Sequence, residues 1–283
     1  MQTHRNADPD LLFYWAGISA PNAGEPLMTE YATFHDLAGQ SVFLTGGGSG
    51  IGASLTEGFL AAGAHVSFVQ RSDATEFCDR MEREHAKRPH FMKCDITDVD
   101  HLKSCMDQAA DRFGAITVLV NNAANDTRHD TLDYSVEDWD WNHAVNLRPH
   151  FFTTQHVVPG MRAAGGGAII NFSSASYGMA NAGYPAYVAA KAAILGLTRT
   201  HAREFGPDAI RVNALVPGWV LTDRQMDLWA TEDSLREHLN RQCLKEHLVA
   251  RDIVDATLFL ASKASRMMTA QAVVVDGGVV FTG

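Results

Sequence analysis

The feature that most constrains the fold is a regular alternation of short apolar runs with longer helical stretches from Leu37 onward. The runs are almost continuously apolar, as expected for strands of a parallel sheet that is covered on both faces. This alternation predicts an α/β fold with one doubly wound domain, built on a seven-stranded, mostly parallel sheet with helices on both faces. The predicted strands are residues 42–45, 65–69, 90–94, 118–121, 168–172, 210–216 and 272–275, and the predicted helices are residues 51–62, 75–87, 98–113, 136–163, 186–205 and 252–261.

The composition limits the partners that the chain can have. Its 283 residues suit one large domain or two small ones, and its hydrophobic content of 46% is ordinary for a globular protein. The formal net charge of −10 argues against a nucleic-acid or membrane partner, because both favour basic surfaces. None of the four cysteines forms a CxxC pair, so we expect reduced thiols and a cytoplasmic location. None of the thirteen histidines has the spacing of a tight metal site, so no catalytic metal is expected.

Two segments lie outside the alternation. Residues 1–36 precede the first strand and are predicted to be a loosely ordered N-terminal extension of a domain that spans residues 37–283. Residues 217–246 follow the sixth strand and are rich in charged and aromatic side chains. Ligands of open α/β sheets bind beyond the carboxyl ends of the strands, so this segment is predicted to be a substrate lid. An ordinary surface excursion is the alternative.

A glycine-rich turn follows the first predicted strand and precedes a predicted helix. It reads Thr45-Gly46-Gly47-Gly48-Ser49-Gly50-Ile51-Gly52. Glycines allow a tight turn and a close approach to a pyrophosphate, while the helix N-terminus presents free N–H groups and the positive end of its dipole. The position of this turn between a strand and a helix favours dinucleotide binding. The predicted contacts are Gly46, Ser49, Gly50, Ile51 and Gly52.

The end of the second predicted strand bears on the choice of dinucleotide. An acidic residue there binds the ribose 2′-hydroxyl of NAD, whereas a basic residue suits the 2′-phosphate of NADP. Gln70 stands at this position and Arg71 follows it. A guanidinium can bind a phosphate with two hydrogen bonds, so NADP is favoured over NAD, with Asp73 left as an alternative ribose ligand for NAD. Asp95 and Ile96, after the third strand, are predicted to flank the adenine.

Tyr187 and Lys191 are four residues apart on a predicted helix, and Ser174 follows the fifth predicted strand. Residues four apart share a helix face, so a phenol and an ammonium lie side by side. A cation about 4 Å away stabilises a phenolate by roughly 4 kcal/mol at an effective dielectric constant of ~20. This corresponds to about three pKa units, less the cost of desolvation. The spacing therefore predicts a general acid/base for neutral pH, although YxxxK alone is common on surface helices.

Taken together, these motifs resemble those of the short-chain dehydrogenase/reductase family from about Leu37 to the end of the chain. The departures are Ala124 and Ala270, which stand where the family usually has glycine. The resemblance implies a Rossmann-type fold, hydride transfer to or from a nicotinamide ring, and a homotetramer formed by the long helices after strands four and five. The motifs are residues 45–52, Asn121-Asn122-Ala123-Ala124, Asn146-Leu147, Ser174, Tyr187 with Lys191, and Pro217-Gly218.

The resemblance also implies roles for individual residues. Tyr187 would exchange a proton with the substrate oxygen, which Ser174 would orient. Lys191 would lower the pKa of Tyr187 and hold the nicotinamide ribose, and Asn146 would fix a water on the proton path, with helix capping as its alternative role. The further cofactor contacts that it implies are Asn122, Ala123, Tyr187, Lys191, Pro217, Gly218 and Val220.

Several local runs are similar to those of bacterial D-xylose and L-arabinose 1-dehydrogenases of this family. The runs are Asn125-Asp126-Thr127-Arg128-His129 and Gln242-Cys243-Leu244-Lys245. This similarity implies oxidation of an aldose at C1 to its lactone. A 3-oxoacyl, steroid or secondary-alcohol substrate is the alternative, and a nucleotide-sensing protein without activity is a third possibility. The candidate substrate contacts are Asn125, Asp126, Arg128, Ser174, Tyr177, Tyr184, Trp219 and Gln225, each with an ordinary packing role or, for Arg128, an ion pair as the alternative.

Overall fold

The computed structural model describes residues 32–281, which form a three-layer α/β domain around a seven-stranded sheet. The strands run in the order β3-β2-β1-β4-β5-β6-β7, and every neighbouring pair is parallel. The predicted doubly wound fold is thus confirmed, with a sheet that is parallel throughout. The strands are β1 Ser41–Thr45, β2 His65–Gln70, β3 His90–Lys93, β4 Val118–Asn121, β5 Gly167–Phe172, β6 Ile210–Pro217 and β7 Ala272–Val275.

Helices cover both faces of this sheet because its strands alternate their side chains between two apolar clusters. On β1, Val42 and Leu44 pack into one cluster with α1 and α10, whereas Phe43 packs into the other with α3 and α5. The helices are α1 Gly50–Ala61, α2 Thr75–His85, α3 Val99–Phe113, α4 Val136–Asn146, α5 Arg148–Ala163, α6 Ser176–Met179, α7 Pro185–Phe205, α8 Asp223–Leu228, α9 Glu232–Arg241 and α10 Arg251–Ala261.

The predicted single helix over residues 136–163 is wrong, because the chain forms two helices there. Leu147 separates α4 from α5, with φ −128° and ψ −51°. Pro149, in the first turn of α5, has no N–H to donate, and its ring would clash with the carbonyl of Val145 in a continuous helix. The break ends α4 at Asn146.

The strand order places a topological switch point between β1 and β4. The connection after β1 leads to β2 on one side, while β4 and the later strands lie on the other side. The chain segments that follow β1 and β4 therefore diverge and leave a crevice at the carboxyl ends of the strands, where open α/β sheets bind ligands.

Of the two segments that lie outside the strand–helix alternation, the structure describes one completely and the other only in part. The predicted lid, residues 217–246, contains α8 and α9 and returns to the domain beside β7, where Leu244 N–H donates to the carbonyl of Gly277 at 2.9 Å. Most of the predicted extension, residues 1–31, lies outside the described residues. Asp36 anchors the start of the domain by accepting the Lys263 N–H at 2.7 Å. Among residues 32–281, no helix has both the length and the apolar character needed to cross a membrane.

Candidate active site

A cleft of about 1150 Å³ opens at the carboxyl ends of the strands, over the switch point. It is bounded by the turn after β1, the loop after β4 and the predicted lid, residues 217–246, which is called the lid below. Asn146 and Tyr177 are not among its lining residues. The predicted site residues that do line it are Gly46, Ser49, Gly50, Ile51, Gly52, Arg71, Asp95, Ile96, Asn122, Ala123, Asn125, Asp126, Arg128, Ser174, Tyr184, Tyr187, Lys191, Pro217, Gly218, Trp219, Val220 and Gln225.

The glycine turn has the geometry of a dinucleotide cradle. Gly46 and Gly50 have φ values of +74° and +51°, which favour glycine. A Cβ on Gly52 would lie 1.6 Å from the carbonyl oxygen of Gly46, so the first turn of α1 packs directly against the end of β1. Within the described residues, the Ser49 side chain accepts no capping hydrogen bond. The first N–H groups of α1 are therefore not capped by Ser49 and can bind a phosphate, so these residues fit the pyrophosphate of a dinucleotide.

Asn122 holds this turn in place from the neighbouring strand. Its Nδ2 donates to the carbonyls of Thr45 and Gly46 at 3.2 and 3.0 Å. The Thr45 hydroxyl in turn accepts the N–H groups of Asn122 and Ala123 at 3.0 and 3.1 Å. These bonds join the predicted cofactor residues that follow β1 to those that follow β4.

At the end of β2, Gln70 is committed to the turn itself. Its Oε1 accepts the Gly48 N–H at 2.8 Å, and its Nε2 donates to Ser72 Oγ at 3.2 Å. The alternative ribose ligand Asp73 accepts hydrogen bonds from the backbone and hydroxyl of Thr75 at 3.3 and 2.8 Å. Arg71 is exposed at the rim of the cleft.

Asp95 and Arg71 both line the cleft, at the end where the adenosine half of a dinucleotide is predicted to bind. Burial raises the pKa of Asp95, but hydrogen bonds from Thr97 and the positive charge of Arg71 outweigh this effect and lower the pKa overall. The positive charge of Arg71 thus favours the ionised form of the Asp95 carboxyl.

Tyr187, Lys191 and Ser174 meet at the centre of the cleft. The first two lie on α7, where the Lys191 Nζ is 5.5 Å from the ring centroid of Tyr187. The Ser174 hydroxyl, which follows β5, lies near enough to the Tyr187 phenol to lower its pKa. Lys191 is 1% exposed, and its Nζ donates to the carbonyl of Phe172 at 2.8 Å. The structure therefore brings together the three residues whose spacing predicted an acid/base group.

The expected lowering of the Tyr187 pKa is wrong for the site in this structure. Burial raises the pKa of Tyr187, and the nearby carboxylate of Asp126 adds to the rise, while the nearby Ser174 hydroxyl opposes it. Burial also lowers the pKa of Lys191 to about 7, against the effect of Asp126. Desolvation disfavours both the phenolate of Tyr187 and the ammonium of Lys191, so it outweighs the expected stabilisation of the phenolate by the ammonium. It also leaves Lys191 only partly charged at neutral pH.

Asn146 shapes the site from outside the cleft. It is fully buried at the end of α4, where its Oδ1 accepts the Asn125 N–H at 2.8 Å. Its Nδ2 donates to the Asn125 carbonyl at 2.9 Å and to Asn142 Oδ1 at 3.1 Å. The side chain therefore fixes the loop after β4, and its part in a proton path stays a prediction.

Polar contacts tie the lid to the loop after β4. Gln225 Nε2 donates to Asp126 Oδ2 at 2.8 Å, and Trp219 Nε1 donates to Gln225 Oε1 at 2.9 Å. Asp126 also forms an ion pair with the lid residue Arg224, at 3.5 Å. Three of the predicted substrate residues are thus linked to one another across the mouth of the cleft.

Arg128 lies between aromatic rings. Its Cζ is 3.7 Å from the ring centroid of Tyr184 and 5.1 Å from that of Trp229, so cation–π contacts hold its guanidinium over the cleft.

Sequence reasoning missed part of the lid lining. The charge- and aromatic-rich composition of residues 217–246 indicated a lid, but it gave no register for α9. Within the described chain, His238 Nε2 and Trp229 Nε1 are buried without a hydrogen-bond partner. The lining residues that were not predicted include Trp229, Ser234, Glu237, His238 and Arg241.

The observed fold agrees with a comparison against protein families. A short-chain dehydrogenase family model, described as enoyl-(acyl carrier protein) reductase, matches residues 46–280. The chain belongs to the short-chain dehydrogenase/reductase family. It is accordingly an oxidoreductase that acts on CH–OH donors with a nicotinamide cofactor.

Two relatives of known name match most of the chain. "Probable galactose dehydrogenase GalD" from Rhizobium meliloti (strain 1021) is 46% identical over 248 residues, which cover 87% of this chain and 97% of the relative. D-xylose 1-dehydrogenase from Caulobacter vibrioides is 41% identical over 250 residues, covering 87% of this chain and 98% of that protein.

A solved structure within the family is also similar. A blue fluorescent protein from a metagenomic library, in complex with NADPH, is 30% identical with a TM-score of 0.79, covering 86% of this chain and 99% of the other. These matches confirm the predicted family and the predicted resemblance to sugar dehydrogenases.

Proposed function

We propose that the protein oxidises an aldose at C1 to the lactone, with NADP or NAD as the hydride acceptor. The observation that carries the proposal is the meeting of a dinucleotide cradle with the Ser174–Tyr187 hydroxyl pair beneath a polar and aromatic lid. The two sugar dehydrogenases that this chain matches over nearly their whole length support the choice of an aldose as the substrate.

Different residues orient the substrate hydroxyl and accept its proton. The nicotinamide cofactor, when bound, supplies the hydride acceptor for the substrate carbon. Ser174 orients the substrate oxygen through a hydrogen bond, and Tyr187 accepts its proton as a general base. Because burial raises the pKa of Tyr187, the phenolate needs a cation beside it, which Lys191 provides when protonated. Loss of one hydride and one proton converts the C1 hydroxyl of the aldose to the lactone carbonyl.

The mouth of the cleft suits a small polyol. Asp126, Gln225 and Arg128 place an anion, an amide and a cation around the space above Tyr187. A site with convergent polar groups rejects analogues that lack the matching hydroxyls, since its buried groups would be left unpaired. Trp219 and Tyr184 add aromatic surface for the C–H face of a sugar ring.

NADP is the favoured cofactor in this proposal. Gln70 gives no carboxylate to a ribose 2′-hydroxyl, and it is already bonded to Gly48 and Ser72. Arg71 is exposed on the cleft rim, and a guanidinium there can bind a 2′-phosphate with two hydrogen bonds. Arg71→Ala should therefore raise the KM for NADP far more than the KM for NAD, with Arg83→Ala on the exposed face of α2 as the matched control. Equal changes in the two KM values would contradict the preference.

The proposal includes a homotetramer built on the long helices that follow β4 and β5. Trp139 and Trp141 on α4 and Phe151 on α5 are 44%, 41% and 44% exposed, and large apolar side chains exposed on these helices favour a subunit interface there. Light scattering on the purified protein gives the mass directly, and a monomer at micromolar concentration would contradict this part of the proposal.

The decisive experiment measures NADP⁺ and NAD⁺ reduction with a panel of aldoses, acyl thioesters and secondary alcohols. Turnover with aldoses supports the proposal, turnover with acyl thioesters or alcohols alone supports the alternative substrates, and cofactor binding without turnover indicates a sensor. Tyr187→Phe should reduce kcat by roughly 10²–10⁴-fold while cofactor affinity is retained. Tyr177→Phe, outside the cleft, is the control and should leave kcat unchanged.

A further inference from the structure

Two buried thiols and an exposed imidazole converge where β3 joins α3. Cys94 follows the last residue of β3, and His101 and Cys105 lie four residues apart on α3, so they share one face of that helix. The two sulfur atoms and one imidazole nitrogen all lie within 4.8 Å of one another. The Cys94 thiol donates to the carbonyl of Asp95 at 3.4 Å.

This donor set matches the coordination chemistry of a thiophilic cation. Zn²⁺ binds cysteine sulfur at about 2.3 Å and histidine nitrogen at about 2.0–2.1 Å, which puts two sulfurs of a tetrahedral site roughly 3.8 Å apart. The observed separations therefore require only small side-chain movements. Cys94 and Cys105 are 2% and 1% exposed, so they hold an ion out of water, while exposed His101 gives access from solvent.

We propose that Cys94, His101 and Cys105 form a binding site for a thiophilic divalent cation such as Zn²⁺. The ion forms two bonds to sulfur and one to the neutral imidazole, and water completes the fourth position. Two thiol protons are released to solvent when the metal–sulfur bonds form, and no oxidation takes place. The site is separate from the glycine turn and from the Ser174–Tyr187 pair, so the proposal does not depend on the identity of the substrate.

The location gives the ion an effect on the dinucleotide end of the cleft. Cys94 lines the cleft beside Asp95 and Ile96, the predicted flanks of the adenine. An ion that joins Cys94 to α3 fixes both ends of the turn that carries these two residues. We therefore expect zinc loading to raise the melting temperature and to change the affinity for the adenosine half of the cofactor.

The test is metal binding by the whole, chemically reduced chain after removal of bound metal with a chelator. Zn²⁺ is titrated in competition with a chromophoric chelator, and Co²⁺ is the second probe because thiolate coordination gives a charge-transfer band. The expected result is one equivalent of tightly bound Zn²⁺ and a cobalt–thiolate band. Cys105→Ser should lose at least 100-fold in affinity, and His101→Ala at least 10-fold. Cys78→Ser and Cys243→Ser are the matched thiol controls and should bind as the wild type does.

His101→Ala keeps the test decisive if Cys105→Ser fails to fold, because His101 is exposed and its loss leaves the core intact. Failure of the wild type to bind one equivalent of either ion would overturn the proposal. Wild-type affinity in both His101→Ala and Cys105→Ser would do the same, as would loss of binding in Cys243→Ser, which would assign the metal to the exposed thiol.

Discussion

The buried amine of Lys191 should make the stability of this protein depend on pH between about 7 and 10.5. The perturbation that exposes this dependence is Lys191→Met, which keeps a long side chain and removes the titrating group. A pKa lowered from 10.5 to about 7, at about 1.4 kcal/mol per pH unit, corresponds to roughly 5 kcal/mol of unfolding free energy.

The sign follows from where the proton is bound. Between pH 7 and 10.5 the unfolded chain keeps the proton on Lys191 while the folded chain releases it, so the unfolded state binds more protons. The free energy of unfolding therefore rises with pH across this window. The penalty for burying the ammonium is complete below the folded pKa and disappears above the unfolded one.

Urea unfolding of the wild type and Lys191→Met at about pH 7, 8.5 and 10 measures the effect. Other titrating groups are common to both proteins and cancel in the difference. From the lowest to the highest pH, the free energy of unfolding of the wild type should rise by several kcal/mol relative to that of the variant. The exposed-lysine control Lys263→Met should show the same pH dependence as the wild type. Parallel curves for the wild type and Lys191→Met would refute the burial argument.

Three further predictions concern the supports of the site. Gly52→Ala places a Cβ 1.6 Å from a backbone oxygen, so it should cost about 3 kcal/mol or more of stability in thermal unfolding and abolish cofactor binding. The control Gly160→Ala lies within a helix, where a Cβ meets no close neighbour, and should stabilise the protein by about 0.5–1 kcal/mol in the same measurement. Asn146→Ala leaves the half-buried backbone groups of Asn125 without their Asn146 partners and should cost about 1–3 kcal/mol in urea unfolding. Gln225→Ala severs the lid contact and should raise the substrate KM several-fold without changing cofactor affinity; a change in cofactor affinity alone would contradict it.

The strands and the turn after β1 were predictable because their signals are local. Continuous apolar runs specify buried parallel strands, and a Gly52 side chain is excluded by the backbone of Gly46 alone. The break at Leu147 was missed because the helical pattern continues across it, although Pro149 was the signal that could have found it.

The electrostatics and the lid depend on tertiary contacts that no spacing encodes. The distance between Tyr187 and Lys191 followed from helix geometry, but the sign of the Tyr187 pKa change depends on how deeply the pair is buried. The same holds for the lid, since the partners of Gln225 come from a loop about a hundred residues away in sequence, beyond the reach of any local pattern.

The hydrogen bond from Gln225 to Asp126 joins α8 to the loop after β4. The preceding residue of that loop, Asn125, is hydrogen-bonded through both its N–H and its carbonyl to the side chain of Asn146. The lid is therefore not an independent module, because it contacts the loop after β4, and the last turn of α4 holds that loop in place. Grafting the lid of a relative onto this scaffold to change substrate preference would leave mismatched hydrogen-bond donors and acceptors where the lid meets this loop. Segments 125–128 and 217–246 must consequently be exchanged as a pair.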